Sequence, residues 1–401
     1  MRTARFKPLR TNEQSRLPSL TGMRFVAAFM VLLCHVGTSV IPRLQNHQLA
    51  RFQRFFESSG PTGVSFFFIL SGFILTWVAR SEDTRRSFWR RRLVKIYPSH
   101  LVTLAAAVLL MLSAGITVTA ANTVPTLFLV QGWIPRQDVI LNYGSNTPSW
   151  SLACEVLFYL AFPWILVLAR RIRPQRLWGW VAATTVGIFS VPLLAQLLPA
   201  KPYMPLTTNS WWATWFTYYF PGTRLLEFVL GILMALIVLN KRWIGLRPGA
   251  ALLLAAAAFV GGAYLPGVYS SVAPTALPLA LAIAALATAD VRSRWTPFNN
   301  RVFVWLGEIS YAFYMVHFLV VSYGPIGAAH RENWMKPLSA HGALVDAGLT
   351  LAISLVLAWL LHVLVENPAM RRWSRSRGAG AAAPASTTNA PGTERAATPA
   401  P

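Results

Sequence analysis

The chain has 401 residues, of which 55% are hydrophobic and 12% charged, and its mean hydropathy is +0.47. This composition excludes an ordinary soluble globular protein. The net charge of +23 does not indicate nucleic-acid binding, because the basic residues form short blocks between apolar runs rather than an aromatic-interleaved basic domain.

Apolar runs long enough to cross about 30 Å of hydrocarbon recur along the whole chain. They predict an all-α, polytopic membrane protein, a bundle of about ten transmembrane helices. The predicted helices, in chain order, are 20–41, 62–79, 97–115, 149–169, 177–198, 221–239, 250–265, 272–290, 302–323 and 346–365.

The distribution of Lys and Arg predicts the orientation of these helices. With the N-terminus inside, 27 of the 36 Lys and Arg residues fall in inner segments and seven in outer loops. Cytoplasmic segments carry such an excess. We therefore predict that both termini are cytoplasmic and that the protein lies in the cell (cytoplasmic) membrane.

Three regions are predicted from composition. Residues 1–16 form a flexible basic N-terminus that faces the anionic inner leaflet. Residues 17–370 form the transmembrane domain. Residues 371–401 are rich in Ala, Pro and Thr and cannot bury enough apolar surface to fold, so they are predicted to form a disordered cytoplasmic tail.

The first predicted helix carries two residues that are costly in hydrocarbon, Arg24 and His35. Their separation of eleven residues places them within roughly 20° on one helix face and about 16 Å apart along the axis. Arg24 lies near the cytoplasmic end and His35 in the outer half. The alternative to a functional role is that Arg24 extends to the inner interface while His35 pairs inside the bundle.

Comparable depths connect His35 with polar residues on other helices. His35, Glu155 and His317 each lie about six residues from the outer end of a predicted helix, and Arg224 lies at a similar level. A carboxylate that orients an imidazole and stabilises its protonated form makes a general base, so we predict that Glu155 orients His35. A structural network of buried polar groups would satisfy the same residues.

A basic segment precedes the third predicted helix. Residues 81–98 contain six basic side chains, and Arg92 and Lys95 lie at positions i and i+3, where they could act together. Arginine is suited to binding phosphate, which favours a site for a phosphorylated donor. Membrane topology alone also accounts for these charges.

The two cysteines, Cys34 and Cys154, fall in different predicted helices. They provide neither a disulfide framework nor the spacing of a metal site. No metal site and no permanently bound cofactor are predicted.

Taken in order, several segments make the chain resemble the bacterial membrane-bound acyltransferase-3 family. The resemblance runs from about Leu17 to Pro368, and the segments are highly specific together although each is weak alone. One departure is that the cytoplasmic R-x-x-R of the family is Arg92-x-x-Lys95 here, and lysine lacks the bidentate fork of arginine. The matching segments are LPSLTGMRFVAAFMVLLCHV, SFFFILSGFIL, FWRRRLVKIYP, PSWSLACEVLFYLAFP, RLLEFVLGIL, LGEISYAFYMVHF and VENP.

The resemblance implies transfer of an acyl group from cytoplasmic acyl-CoA to a hydroxyl of a sugar, glycan or natural product. Members with the LPSLTG-type start look most like the actinobacterial enzymes that O-acylate macrolides and related polyketides, and this resemblance implies a macrolide-type acceptor and a short acyl group such as acetyl. In this hypothesis His35 is the general base and Glu155 its partner. Donor-binding or supporting positions are Arg24, Arg92, Lys95, Ser71, Trp150, Ser151, Arg224, Tyr311 and His317.

Two alternatives remain open from the sequence. Within the same chemistry, the acceptor could be a cell-surface polysaccharide or glycan. In a different class, a transporter without chemistry would also place polar residues at mid-depth, although the broken helix pairs typical of carriers are not evident. Release of free CoA would distinguish an acyltransferase from a transporter.

Overall fold

The computed structural model describes residues 16–44, 52–80, 83–141, 146–205, 208–329, 333 and 336–373. These residues are mostly helical and contain no β-strand. Ten longer helices are named here α1 (Pro18–Val40), α2 (Gln53–Val78), α3 (Arg85–Ser113), α4 (Trp150–Arg170), α5 (Leu177–Ala195), α6 (Pro221–Leu239), α7 (Pro248–Gly262), α8 (Ala273–Val291), α9 (Arg301–Tyr323) and α10 (Ala340–Leu361).

The helices confirm the predicted all-α, polytopic architecture. In the part of the chain that the structure describes, nine helices are long and apolar enough to cross a membrane, by length and composition. The remaining apolar helix, α7, has 15 residues. The inner end of the bundle is the end that the charge distribution predicts to face the cytoplasm, and the outer end is the opposite one.

Several helix boundaries differ clearly from the sequence prediction, and helix α2 begins at Gln53, nine residues before its predicted start. Helix α3 begins at Arg85, twelve residues before its predicted start, so the basic segment is helical rather than a loop. The side chain of Thr84 caps this helix by accepting a hydrogen bond from the backbone N–H of Ser87 at 3.2 Å. At the other end of the chain, α10 continues through a π-helical turn, His362–Glu366, into the short helix Asn367–Trp373.

The predicted N-terminal and C-terminal regions lie almost wholly outside the described residues. Of the segment 1–16, only Arg16 is described. Residues 371–373, which were predicted to begin the tail, belong to the helix that ends at Trp373. The rest of the predicted tail, residues 374–401, falls outside the described part.

Close backbone approach at glycines builds the centre of the bundle. Gly72 of α2 lies against the backbone carbonyl of Phe228 in α6, and Gly231 of α6 lies against the carbonyl of Ile69 in α2. Small residues allow helices in a membrane protein to pack at short range. Helix α1 packs beside α2 on one side and beside α9 on the other.

The inner end of α1 is fastened to α8. Leu17, at the N-cap position of α1, offers no side-chain cap. Asp290 of α8 replaces it, because its carboxylate accepts from the backbone N–H of Ser19 at 3.0 Å and from the Ser19 hydroxyl at 2.5 Å. This contact fixes the end of the helix that carries Arg24 and His35.

Candidate active site

A cavity of about 200 Å³ lies between α1, α2, α3, α4 and α9. Most of its surface is apolar, and the polar groups that reach it come from all five helices. Its polar lining residues are Thr21, Arg24, Ser71, Arg92, Lys95, Ser151, Glu155, Tyr159, Tyr311 and Tyr314.

Three cations reach this cavity without a carboxylate partner. Arg24, Arg92 and Lys95 all line it, and none of them makes a salt bridge in the described part of the chain. Arg92 Nε is buried and has no hydrogen-bond partner, while its guanidinium lies 5.5 Å from the ring centre of Phe88. Like charges repel in a medium of low dielectric constant, so the cavity favours an anionic ligand.

The early start of α3 explains why the side chains of Arg92 and Lys95 line the same cavity. At positions i and i+3 of a helix the two side chains lie on the same face. Arg86 and Arg90 of this segment are exposed, and Arg91 is half-buried and pairs with Asp83 at 2.8 Å. The predicted pairing of Arg92 with Lys95 therefore has a structural basis, although it arises on a helix.

Glu155 is the carboxylate of this cavity, and its hydrogen-bond partner is on its own helix. The hydroxyl of Tyr159, one turn further along α4, donates to Glu155 Oε2 at 2.6 Å. Tyr159 also fixes α3, because its carbonyl accepts from Trp89 Nε1 at 3.0 Å. Glu155 thus lies in the same cavity as the three cations and offsets part of their charge.

The outer end of the cavity carries two hydroxyl groups. Ser151 Oγ and Tyr314 Oη lie 2.9 Å apart, and each donates to the carbonyl of Pro148 at 3.0 Å or pairs with the other. A carbonyl oxygen has two lone pairs and can accept from both. These hydroxyls join the first turn of α4 to the middle of α9.

The two histidines face each other just beyond Tyr314. The ring centres of His35 and His317 are 5.4 Å apart, and the ring of Phe318 lies 4.8 Å from that of His35. His317 Nδ1 lies 2.7 Å from the carbonyl of Tyr314. A carbonyl only accepts, so Nδ1 carries the proton, which leaves the lone pair of His317 Nε2 buried and without a partner.

The predicted pairing of His35 with Glu155 is not formed among the described residues. Among the described residues these two share no hydrogen bond, and His35 does not line the cavity that contains Glu155. The reason is tertiary: α1 packs beside α2 and α9, so the neighbour of His35 at this depth is His317. Glu155 belongs with Arg24 at the cationic end of the arrangement.

Arg224 and Trp150 belong to the packed core, outside the cavity. Arg224 is 1% exposed, and its Nη1 lies 3.0 Å from Glu227 Oε2. Its guanidinium lies over the rings of Phe68 and Tyr218. Trp150 packs edge-on against Phe68 and close to Tyr218. Among the predicted supporting residues, Ser151 lines the cavity, His317 adjoins it through Tyr314, and Arg224 does neither.

Ser71 and Tyr311 both line the cavity, as their expected supporting roles require. The Tyr311 hydroxyl donates to the carbonyl of Ile96 at 2.9 Å and so holds α9 against α3. Tyr159 and Tyr314 are polar lining residues to which the sequence analysis gave no role. Both stand inside matching family segments, and the i, i+4 spacing of Glu155 and Tyr159 was the signal available in the sequence.

A cavity that is lined by three cations and ends beside paired imidazoles, within a bundle of apolar helices, is the candidate active site of a membrane-embedded enzyme. The profile of the family described as Acyltransferase domain matches residues 17–363. The chain therefore belongs to the acyltransferase-3 family, and it is an acyltransferase. This result favours the enzyme over the transporter.

The chain is similar to several bacterial acyltransferases. Acyltransferase MdmB of Streptomyces mycarofaciens is 40% identical over 95% of this chain and 98% of the relative. A candidate O-acetyltransferase of Staphylococcus aureus (strain COL) is 25% identical over 88% of this chain, and the candidate peptidoglycan O-acetyltransferase YrhL of Bacillus subtilis (strain 168) is 25% identical over 58%. This chain spans 57% of the staphylococcal protein and 35% of the Bacillus protein. No solved structure matches the chain.

Proposed function

We propose that this protein transfers a short acyl group, such as acetyl, from acyl-CoA to a hydroxyl of a macrolide-type natural product or sugar in the cell membrane. The observation that carries the proposal is the set of three unpaired cations in one cavity whose outer end adjoins two histidines. Phosphate groups of CoA are the anions that such a site would bind. The largely apolar remainder of the cavity suits the rest of the donor.

In this proposal Arg24, Arg92 and Lys95 hold the phosphates, and the thioester lies toward the outer end of the cavity. The positive-inside distribution favours a position of these cations nearer the cytoplasm, where acyl-CoA is made. Glu155 and Tyr159 limit the positive charge of the empty cavity and fix α4 against α3. The role that we first assigned to Glu155, orientation of the base, passes to His317.

The chemical step uses the histidine pair. His35 takes the proton of the acceptor hydroxyl as that oxygen attacks the thioester carbonyl. Protonated His35 donates to the free lone pair of His317 Nε2, which stabilises the imidazolium. The hydroxyls of Ser151 and Tyr314 support the developing oxyanion. As the new C–O bond forms, the C–S bond breaks, and the CoA thiolate leaves with the proton that His35 returns.

The acceptor rests on the comparison with relatives. A macrolide-type acceptor is supported by the resemblance of the N-terminal segment to actinobacterial O-acyltransferases and by the 40% identity to a Streptomyces acyltransferase along nearly its full length. Mass spectrometry of metabolites and surface glycans from a deletion strain tests this choice. Loss of an acyl group from a metabolite would support the proposal. Loss of an acyl group from a surface polymer would show that the acceptor is a surface glycan instead of a macrolide-type compound.

Replacement of His35 by Ala tests the base. We expect CoA release from acetyl-CoA, with a macrolide mixture as acceptor, to fall by about 10²- to 10⁴-fold, the usual contribution of a general base. His341→Gln is the matched control, because His341 is exposed at the outer end of α10 and does not line the cavity. Turnover by folded His35→Ala protein close to that of the control would remove His35 from the chemistry.

A further inference from the structure

The donor cavity and the histidine pair are adjacent but separate. The cavity is lined from α1 by Leu20, Thr21 and Arg24, and neither His35 nor His317 reaches it. A thioester carbonyl at the outer end of the cavity therefore lies on one side of a boundary and His35 on the other, and the acceptor hydroxyl meets the carbonyl at this boundary. The residues that form this boundary therefore limit the space that is open to the acyl group.

Tyr314 and Phe67 form the aromatic part of this boundary, and Val64, one turn nearer the outer end of α2, also lines the cavity there. Both aromatic residues line the cavity, and their ring centres are 6.0 Å apart, edge to face. On its far side the ring of Tyr314 lies 5.6 Å from that of His317. Aromatic rings whose centres are 4.5–7 Å apart are in contact. The series Phe67, Tyr314, His317 thus leaves no space between neighbouring rings for an acyl group.

The two aromatic members of the boundary are held differently. Tyr314 is 6% exposed, and its hydroxyl is fixed by Ser151 and by the carbonyl of Pro148. Phe67 is only half-buried, and its ring makes aromatic contacts with Phe66 and Tyr314 alone among the described residues. The tyrosine is consequently a fixed wall, and the phenylalanine is the side chain whose size can change without breaking a hydrogen bond.

We propose that Phe67 and Tyr314 form a partition at the outer end of the donor cavity and that this partition sets the largest acyl group the protein accepts. The inference rests on the proposed acyl-CoA donor. With the thioester held in the cavity, the first carbon after the carbonyl lies against the partition. Each further carbon of a longer acyl chain must then displace one of the two rings. Short acyl groups fit against the rings, and longer ones do not.

The size of the side chain at position 67 then controls acyl length in both directions. Phe67→Ala removes the ring and leaves apolar space that a longer acyl chain fills. Phe67→Trp adds volume at the same place and excludes more. One methylene in an apolar pocket changes selectivity by about 10- to 200-fold, so the preference between two and six carbons is expected to move by at least ~10-fold.

The experiment measures how strongly CoA, acetyl-CoA, butyryl-CoA and hexanoyl-CoA bind to the detergent-purified full chain. The readout is the rise in Tm that each ligand causes. It needs no acceptor. In the wild type, affinity should fall from acetyl-CoA to hexanoyl-CoA. Phe67→Ala should raise the affinity for hexanoyl-CoA relative to acetyl-CoA by at least ~10-fold, and Phe67→Trp should lower that for butyryl-CoA. CoA itself should bind all variants alike, which shows that they are folded.

Ile74→Ala is the matched control. Ile74 lines the same cavity on the same face of α2, seven residues and about 10 Å nearer the inner end. Its truncation enlarges the cavity without touching the partition, so the ratio between acyl lengths should stay that of the wild type.

Two different failures are distinguishable. If CoA and acetyl-CoA stabilise the wild type but Phe67→Ala keeps the wild-type ratio, or Ile74→Ala changes it equally, the partition does not set acyl length and the proposed donor stands. If neither CoA nor any acyl-CoA stabilises the wild type, the donor assignment is overturned, and the partition with it.

Discussion

Lys95→Gln tests the donor site most directly. Lys95 is half-buried, lines the cavity beside Arg24 and Arg92, and makes no salt bridge among the described residues. A hydrogen bond from a charged group contributes about 1.5–3 kcal/mol. At about 1.4 kcal/mol per factor of ten, its loss should raise the KM for acetyl-CoA by roughly 10- to 150-fold. The effect on kcat should be small, because Lys95 lines the cavity and neither His35 nor His317 does.

The same substitution should stabilise the empty protein. Three unpaired cations around one cavity repel one another, and removal of one relieves that repulsion. We therefore expect Lys95→Gln to raise the Tm without ligand while weakening the additional stabilisation by acetyl-CoA. Opposite changes in these two quantities are the signature of a ligand site and would not arise from simple loss of packing.

The assay is CoA release by membranes over a range of acetyl-CoA concentrations at fixed acceptor. Arg90→Gln is the matched control, since Arg90 lies on α3 and carries the same charge but is exposed and outside the cavity. Lys95→Arg should restore donor binding, because it keeps the charge and adds the bidentate fork. A KM for Lys95→Gln within twofold of the wild type, or an equal rise in Arg90→Gln, would refute the site.

Three further predictions concern other parts of the molecule. His317→Phe should lower kcat about 10- to 100-fold and leave the donor KM unchanged, because it removes the acceptor beside the base and lies outside the cavity; a raised KM instead would place His317 in donor binding. Asp290→Ala should lower stability by about 1–3 kcal/mol through loss of its bonds to Ser19, read as a lower Tm with an unchanged donor KM. Gly231→Ala should cost about 1–3 kcal/mol because its new methyl group meets the backbone of α2, whereas Gly187→Ala, whose nearest contact would be 3.7 Å away, should leave the Tm nearly unchanged; equal Tm values for the two variants would contradict close packing of α2 and α6.

The fold could be predicted from hydropathy because every helix that crosses a membrane must be apolar. Each span needs about 20 apolar residues, and that requirement is readable along the chain. The start of α3 was missed because its first three turns are rich in arginine and lie beyond the apolar run. Arginine is a good helix former, so Thr84 and the residues after it begin a helix that no hydropathy criterion detects.

Depth along each helix was also predictable, and it correctly placed His35 and His317 at one level. Depth does not say which helices are neighbours, and Glu155 lies at the same nominal level on α4. The choice between the two partners depends on how α1 packs, which glycines at the contacts with α2 and α9 decide. A single sequence contains those glycines but does not reveal which helix each one meets.

The short helix α7 has a consequence for the surrounding lipid. Its 15 residues extend about 22 Å, against about 30 Å for the hydrocarbon of an average bilayer. Such a hydrophobic mismatch is accommodated by local thinning of the bilayer around the helix. Helix α7 packs on α8, whose Asp290 holds the inner end of α1. Because α7 packs on the helix that holds the inner end of α1, we expect lipids with shorter chains to suit this protein better than lipids with longer ones.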